Sequence, residues 1–355
     1  MKSLVLHIGI PKTGSSALQV FCAQNRTALL ARSLDYFELG DFDLGVRGKI
    51  SSGNGAHLAR SFLRPQGPSY RPDREQQLAI LERRIAASGC DIGLLSSEIF
   101  VFADDAALAS FADWLRDRGI LLRFFYSIRE QIQFLVSSYI QQVKRHACTE
   151  TCEQYVLRVF EKIAHIKYSK LFERLCKFTQ PELITCLNYE GTRALKQGIC
   201  EAFVSSFGIK TDGLQFTDSS VNVSLDLTEI KIMLALNKLR PRMVFSDILV
   251  ENATRRGRKN VDLSRQLLSE EVLRRIELYF EADNARFART YFGGEPLFEP
   301  REPETGTRDA PDADPPLSEV LEVFGGLLVR LEERLAALER RVNSALTETE
   351  TIQES

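Results

Sequence analysis

The stretch HIGIPKTGSSALQ, from His7 to Gln19, directly follows the apolar run LVL near the start of the chain. Its glycines at 9 and 14 have the separation of the phosphate-binding loop G-x-x-x-x-G-K-[ST], but Ser15 stands where that loop requires lysine. The lysine is instead Lys12, inside the loop. A short apolar strand, a sharp turn at Gly14 and the free N–H groups of a following helix nevertheless predict an anion site.

Strand-like and helical patterns alternate up to residue 200. Apolar runs typical of strands cover residues 3–10, 91–100, 120–129 and 182–190. Helical spacing covers residues 16–33, 104–119, 152–164 and 168–178. This alternation is typical of a parallel sheet with helices on both faces, so we predict a three-layer α/β fold over residues 1–298. Ligands of such sheets bind beyond the carboxyl ends of the strands.

The remainder of the chain is predicted to be mostly helical, with helices over residues 228–239 and 268–292. Residues 299–316 are rich in Pro, Asp, Glu and Thr, which is typical of a disordered linker. From Leu317 to Val342, apolar residues alternate at spacings of four and three, with Arg and Glu on their flanks. We therefore predict a coiled-coil helix over residues 317–346, a disordered tail over 347–355, and a homo-oligomer that forms through the helix. A helix that docks back onto its own domain is the alternative.

Composition excludes several classes of function. The 355 residues are 44% hydrophobic, and 46 Lys and Arg balance 48 Asp and Glu. A formal net charge of −2 gives no general attraction to nucleic acid or to anionic membranes, so an anion site has to be local. The seven cysteines show no disulfide spacing, and no apolar run approaches the length of a transmembrane segment. These features predict a cytoplasmic location.

The order strand, P-K-T-G-S-S, helix (residues 11–16) resembles the 5′-phosphosulfate loop of the sulfotransferases that use 3′-phosphoadenosine 5′-phosphosulfate (PAPS). The resemblance implies a P-loop-like fold and PAPS as the cofactor, with no metal ion required. It also implies that Lys12 stabilises charge on the bridging oxygen of the leaving nucleotide. The residues implied to hold the 5′ end of the cofactor are Pro11, Lys12, Thr13, Gly14, Ser15 and Ser16.

A second motif of that family lies in FFYSIREQIQFLVSSYIQQVK, residues 124–144. A predicted strand ends at Arg129, and Ser137 follows eight residues later on a predicted helix. The resemblance implies that this pair holds the 3′-phosphate of PAPS, because a guanidinium presents a planar fork of donors to phosphate. The alternatives are a structural salt bridge for Arg129 and a bond to the helix's own backbone for Ser137. The basic segment RRGRK, residues 255–259, is either a loop over this phosphate or a surface charge cluster.

Two residues are candidates for the general base of sulfuryl transfer. His57 lies in a Gly/Ser/Asn-rich loop that enters a helix, and histidine can accept a proton near neutral pH. Glu98 lies at the carboxyl end of an apolar strand, where partial burial can raise the pKa of a carboxyl. His57 can instead be a packing or capping histidine, and Glu98 can instead pair with a cation across the cleft. His7, on the first strand, is expected to be structural.

The whole pattern predicts an in-line sulfotransferase whose acceptor hydroxyl belongs to a carbohydrate or a glycolipid. The C-terminal helical part of residues 3–298 resembles bacterial carbohydrate sulfotransferases, and the acceptor rests on that likeness alone. One alternative is a P-loop-type nucleotide kinase or NTPase, although the G-K-[ST] sequence and a convincing Mg²⁺-binding aspartate are missing. The other is a non-catalytic scaffold that keeps a nucleotide fold and acts through its coiled coil.

Overall fold

The computed structural model of the chain describes residues 1–49, 51–216, 224–239, 243–255, 262–299 and 316–353. The chain forms two compact units. The first unit comprises Met1–Phe134, Val159–Val221 and Arg274–Pro303. The second unit comprises Leu135–Arg158, Asn222–Leu273 and Glu304–Ser355.

The first unit contains a five-stranded parallel sheet with the strand order β2-β3-β1-β4-β5. Its strands are β1 (Ser3–His7), β2 (Leu34–Tyr36), β3 (Ile92–Ser96), β4 (Leu121–Ile128) and β5 (Ile184–Asn188). Helices flank the sheet, so the predicted α/β fold with a P-loop-like arrangement is confirmed. Four of the five strands lie within the predicted apolar runs, whereas the three-residue β2 was not predicted.

Helices connect and follow these strands in the order expected for parallel connections. Their bounds are α1 (Ser15–Gln24), α2 (Arg26–Leu30), α3 (Phe42–Val46), α4 (Ala56–Ser61), α5 (Arg74–Ala87), α6 (Asp105–Arg116), α7 (Gln131–Arg145), α8 (Cys152–Val159), α9 (Tyr168–Leu175), α10 (Tyr189–Thr192), α11 (Gly198–Ser206), α12 (Leu227–Leu239), α13 (Met243–Arg255), α14 (Ser264–Leu267), α15 (Glu270–Tyr291) and α16 (Leu317–Gln353). Single 3₁₀ turns cover Glu98–Phe102, Ala164–Ile166 and Pro181–Leu183.

The central strand β1 is buried along its whole length because β3 and β4 pair with its two edges and side chains cover both faces. Its register places His7 opposite Ser96 of β3 and Phe125 of β4. The chain proceeds from β1 to β2 and β3 on one side and to β4 and β5 on the other, so the direction of winding reverses at β1. That reversal creates a crevice at the carboxyl end of β1, where the loop of residues 8–14 lies.

The second unit contains the long helix α16, which contacts α12 and α13. Leu327 is only 4% exposed, Thr228 donates a hydrogen bond to Glu319, and Arg330 pairs with Glu251. The helix is continuous through Gly325 and Gly326 and extends beyond residue 346 into the span predicted as a disordered tail. Residues 300–315 of the predicted linker and residues 256–259 of RRGRK lie outside the described residues. The predicted domain bounds therefore stay predictions. Across the described ranges, none of the helices combines the length and the apolar character that crossing a membrane requires.

Candidate functional site

The loop between β1 and α1 owes its shape to two left-handed residues and an internal hydrogen bond. Lys12 and Gly14 have φ angles of 70° and 81°, and the Thr13 hydroxyl donates to the Ile10 carbonyl over 2.6 Å. At Gly14 a Cβ atom would lie 3.0 Å from a ring carbon of Tyr189. Both the backbone angle and the available space therefore require glycine at position 14.

The helix α1 begins at Ser15, directly after this turn, and Gly14 provides no side-chain cap for it. The first turn contains no acidic residue, so its N–H groups and the positive end of the helix dipole face the loop without a carboxylate on the helix itself. Ser15 is buried, whereas Pro11, Lys12 and Ser16 are partly exposed. This N-terminus offers backbone and hydroxyl donors to an anion.

Glu98, the first residue of the 3₁₀ turn after β3, lies against this loop. The Ser15 hydroxyl donates a short hydrogen bond to its Oε1. A Cβ atom on Gly9 would lie 3.1 Å from the Glu98 side chain, so glycine also permits this close approach. Burial raises the pKa of Glu98, and the Ser15 hydrogen bond and the charge of Lys12 partly oppose that increase. The structure thus brings Glu98, Ser15 and Lys12 together.

Arg129, which follows β4, joins the same cluster. Its Nη1 donates to the carbonyl oxygen of Lys12 over 2.9 Å, and its Nε lies 3.6 Å from Oε1 of Glu190. The side chain is only 14% exposed, and burial lowers the pKa of Arg129. Arg129 Nε and Glu190 Oε1 are both buried, and neither has a hydrogen-bond partner among the described residues. The guanidinium is therefore held beside the loop, and its Nε–H group makes no hydrogen bond there.

Residues after β5 complete this corner and were missed by the sequence analysis. The guanidinium carbons of Arg129 and Arg193 lie 5.6 and 5.5 Å from the centre of the Tyr189 ring. Glu190 accepts a hydrogen bond from the backbone N–H of Glu130, and burial raises the pKa of Glu190. The sequence NYE at the end of a predicted strand could have indicated that these residues lie at the ligand edge of the sheet. The sequence did not show, however, that β5 is the neighbour of β4.

His7, which was expected to be structural, belongs to a cluster of polar side chains with Ser96 and Gln19. Its Nδ1 lies 2.8 Å from the Ser96 hydroxyl, which also accepts a hydrogen bond from Gln19. Burial lowers the pKa of His7 to about 3, so the ring is neutral at physiological pH. A neutral, fully enclosed imidazole supports the expected packing role.

The remaining two predicted site residues are His57 and Ser137. His57, on α4, is partly exposed and lines a cavity of about 190 Å³ together with Glu38, Asn54 and Gln77. None of residues 9–16 lines this cavity, although α4 packs against the 3₁₀ turn that begins with Glu98. Ser137 is partly exposed on α7 and belongs to the second unit. Its role beside Arg129 stays a prediction.

Two solved structures are similar in fold. One is a sulfotransferase from Alicyclobacillus acidocaldarius, with a TM-score of 0.41 and 15% sequence identity over 72% of this chain and 99% of that chain. The other is retinol dehydratase in complex with androsterone and the inactive cofactor PAP, with a TM-score of 0.36 and 12% identity over 79% of this chain and 80% of that chain. No protein-family model and no curated protein matches the chain.

Proposed function

We propose that this protein is a PAPS-dependent sulfotransferase that transfers a sulfuryl group to a hydroxyl of a carbohydrate or glycolipid. The observation that carries the proposal is the hydrogen bond from Arg129 to the carbonyl of Lys12. It joins the two sequence motifs, 117 residues apart, at the ends of neighbouring parallel strands. A loop suited to one phosphate group and an arginine suited to another therefore lie side by side.

The donor set near the loop fits a nucleotide with charged groups at two positions. The backbone N–H groups of the first turn of α1, including that of Ser15, the Ser16 hydroxyl and the Lys12 ammonium would hold the 5′-phosphosulfate. The Thr13 hydroxyl already donates to Ile10, so Thr13 would contribute through its backbone. Arg129 would hold the 3′-phosphate, a role supported by its Nε, which faces Glu190 at 3.6 Å without a hydrogen bond, and Ser137 is proposed as its partner from the resemblance alone.

PAPS, when bound, supplies an activated sulfuryl group. The chain's own residues have to accept the proton of the acceptor hydroxyl and stabilise the negative charge that develops on the leaving oxygen. We assign the proton of the acceptor hydroxyl to Glu98, because its carboxyl lies beside Ser15 and burial raises its pKa. Lys12 lies close enough to influence Glu98 and would stabilise the leaving oxygen. His57, which lines a cavity with Glu38, Asn54 and Gln77, is the alternative base.

Calorimetric titration with 3′-phosphoadenosine 5′-phosphate, the desulfated product, tests the cofactor. We expect micromolar binding without Mg²⁺ that is weakened at least tenfold in Lys12→Ala and in Arg129→Ala. Lys2→Ala and Arg116→Ala are matched controls, because both side chains are exposed and pair with surface carboxylates. Preference for ATP with Mg²⁺ would instead support a kinase or NTPase, and binding of neither nucleotide would support a non-catalytic scaffold.

The base is tested by comparing Glu98→Gln with His57→Ala in transfer from radiolabelled PAPS to a panel of sugars and glycolipids. We expect Glu98→Gln to lower the rate of transfer by about 10²–10⁴-fold with the affinity for the desulfated nucleotide nearly unchanged. His57→Ala should keep the rate within a few fold. The reverse result would assign the base to His57, and transfer to none of the panel would contradict the carbohydrate acceptor.

A further inference from the structure

The helix α16 presents a long apolar stripe that the described residues of its own chain leave exposed. Eight residues at alternating spacings of four and three form it, and their exposed fractions range from 37% to 71%. At 1.5 Å per residue the stripe is about 38 Å long. Its members are Leu317, Leu321, Phe324, Leu328, Leu331, Leu335, Leu338 and Val342.

A different side of α16 contacts the second unit. Leu327 is buried, and Arg330 pairs with Glu251, which places residues 327 and 330 on the side that faces α13. Neither residue belongs to the apolar stripe. Within the described part of the chain, α16 therefore docks through a side other than the stripe, and an exposed apolar patch of this length is typical of an interaction surface.

The charged residues beside the stripe indicate which partner it binds, namely a second copy of the same helix. The spacing places Leu321, Leu328, Leu335 and Val342 at a positions of a heptad, and therefore Glu332 and Glu339 at e and Arg334 and Arg341 at g. In a parallel pair of identical helices, each g residue faces the next e residue of the partner, so Arg334 faces a glutamate. In an antiparallel pair that keeps the full stripe, Leu321 lies opposite Leu338, so Arg334 faces the partner near Leu327 and Glu339 faces it near the first residue of the stripe. Neither charge then meets an opposite charge beside the stripe.

We infer that α16 forms a parallel, in-register two-stranded coiled coil with a second copy of this chain. The apolar stripe supplies the seam, and Arg334 of each copy pairs with Glu339 of the other. Arg334 also lies 3.7 Å from Glu251 of its own chain, yet its side chain is 45% exposed and can reach a partner. Glu339 is fully on the exposed side of the helix.

The oligomeric state of the full chain is measured by sedimentation equilibrium over a range of concentrations. We expect a dimer that becomes a monomer at the same concentrations in Leu335→Glu. Circular dichroism should show the same fold for both proteins, because Leu335 is exposed in the single chain. A monomeric wild-type chain, or a trimer or tetramer, would overturn the inference.

Charge reversal then tests the orientation. Glu339→Arg places Arg334 opposite an arginine in the parallel dimer. We therefore expect the dissociation constant of the dimer to rise about tenfold. Adding Arg334→Glu should restore most of the affinity. Arg340→Glu is the matched control, because residue 340 lies on the helix face away from the stripe and should leave the affinity unchanged. An unchanged affinity in Glu339→Arg would indicate an antiparallel pair and contradict the inference.

Discussion

Removal of Arg129 should affect folding and nucleotide binding in ways that can be separated. In Arg129→Ala the hydrogen bond to Lys12 is lost and the carboxylate of Glu190 is left buried without its cation. Loss of one partner from a buried ion pair costs about 3–5 kcal/mol. The 3.6 Å separation and the partial exposure of Glu190 place this pair below that range, so we expect the free energy of unfolding to fall by about 2–3 kcal/mol.

The double variant Arg129→Ala, Glu190→Gln distinguishes the two roles. Because it removes the unpaired charge, about half of the lost stability should return, as measured by urea unfolding. The affinity for 3′-phosphoadenosine 5′-phosphate should not return, because charge-assisted hydrogen bonds to phosphate contribute about 1.5–3 kcal/mol each and nothing in the double variant replaces them. Both variants should therefore bind the nucleotide on the order of a hundredfold more weakly than the wild type.

The pH dependence of unfolding provides an internal check. The pKa of Glu190 is already raised by burial, and Arg129 partly opposes that increase, so removal of Arg129 raises the pKa of Glu190 further. A carboxyl whose pKa is raised on folding stabilises the folded chain at low pH, and that contribution disappears as the pH rises through the raised pKa. Arg129→Ala should therefore lose more stability at pH 8 than at pH 5. If the double variant recovered nucleotide affinity, or if Arg129→Ala retained it, the assignment of Arg129 to a phosphate would be refuted.

Three further changes test the loop, the candidate base and the C-terminal helix. Gly14→Ala should destabilise the chain by about 1–3 kcal/mol in thermal unfolding, and by more than Gly293→Ala, because both glycines are left-handed but only Gly14 would meet a neighbouring side chain. Glu98→Gln should be more stable than the wild type at pH 8 and not at pH 4.5, because the raised pKa of Glu98 makes its ionised form costly only at higher pH. Gly325→Ala should stabilise α16 by up to about 1 kcal/mol, since an added Cβ atom meets nothing within 4 Å, and a lower melting temperature would contradict this.

The sequence predicted the loop and its flanking elements well because their signals are local. The apolar run of β1, the glycine at the turn and the helical spacing after it all lie within about twenty residues. The predicted helix over residues 16–33 is nevertheless divided at Asn25 into α1 and α2. The Asn25 side chain exchanges two hydrogen bonds with the backbone of Gln215, and no local pattern could predict a partner 190 residues away.

The neighbours of Arg129 were unpredictable for a related reason. Alternating strands and helices indicate a parallel sheet, but they do not determine which strands are adjacent. The pairing of β4 with β5 places Ile128 opposite Asn188, so the residues that follow these strands, Arg129 and Glu190, meet. The same limit applies to Glu98, because the sequence slightly favoured His57 as the base and no local pattern could show that Glu98 lies against Ser15.

The pairing of Arg129 with Glu190 also explains how a buried arginine can be kept at the proposed anion site before a ligand binds. A buried guanidinium without a counter-charge would be unfavourable, and burial already lowers the pKa of Arg129. Glu190 supplies the opposite charge at 3.6 Å, but the two facing atoms make no hydrogen bond to each other. The guanidinium is oriented instead through the Lys12 carbonyl, which belongs to the loop itself. Glu190 thus balances the charge of Arg129, whereas the Lys12 carbonyl orients its guanidinium. A phosphate could therefore replace Glu190 as the counter-charge while the hydrogen bond to Lys12 stays in place.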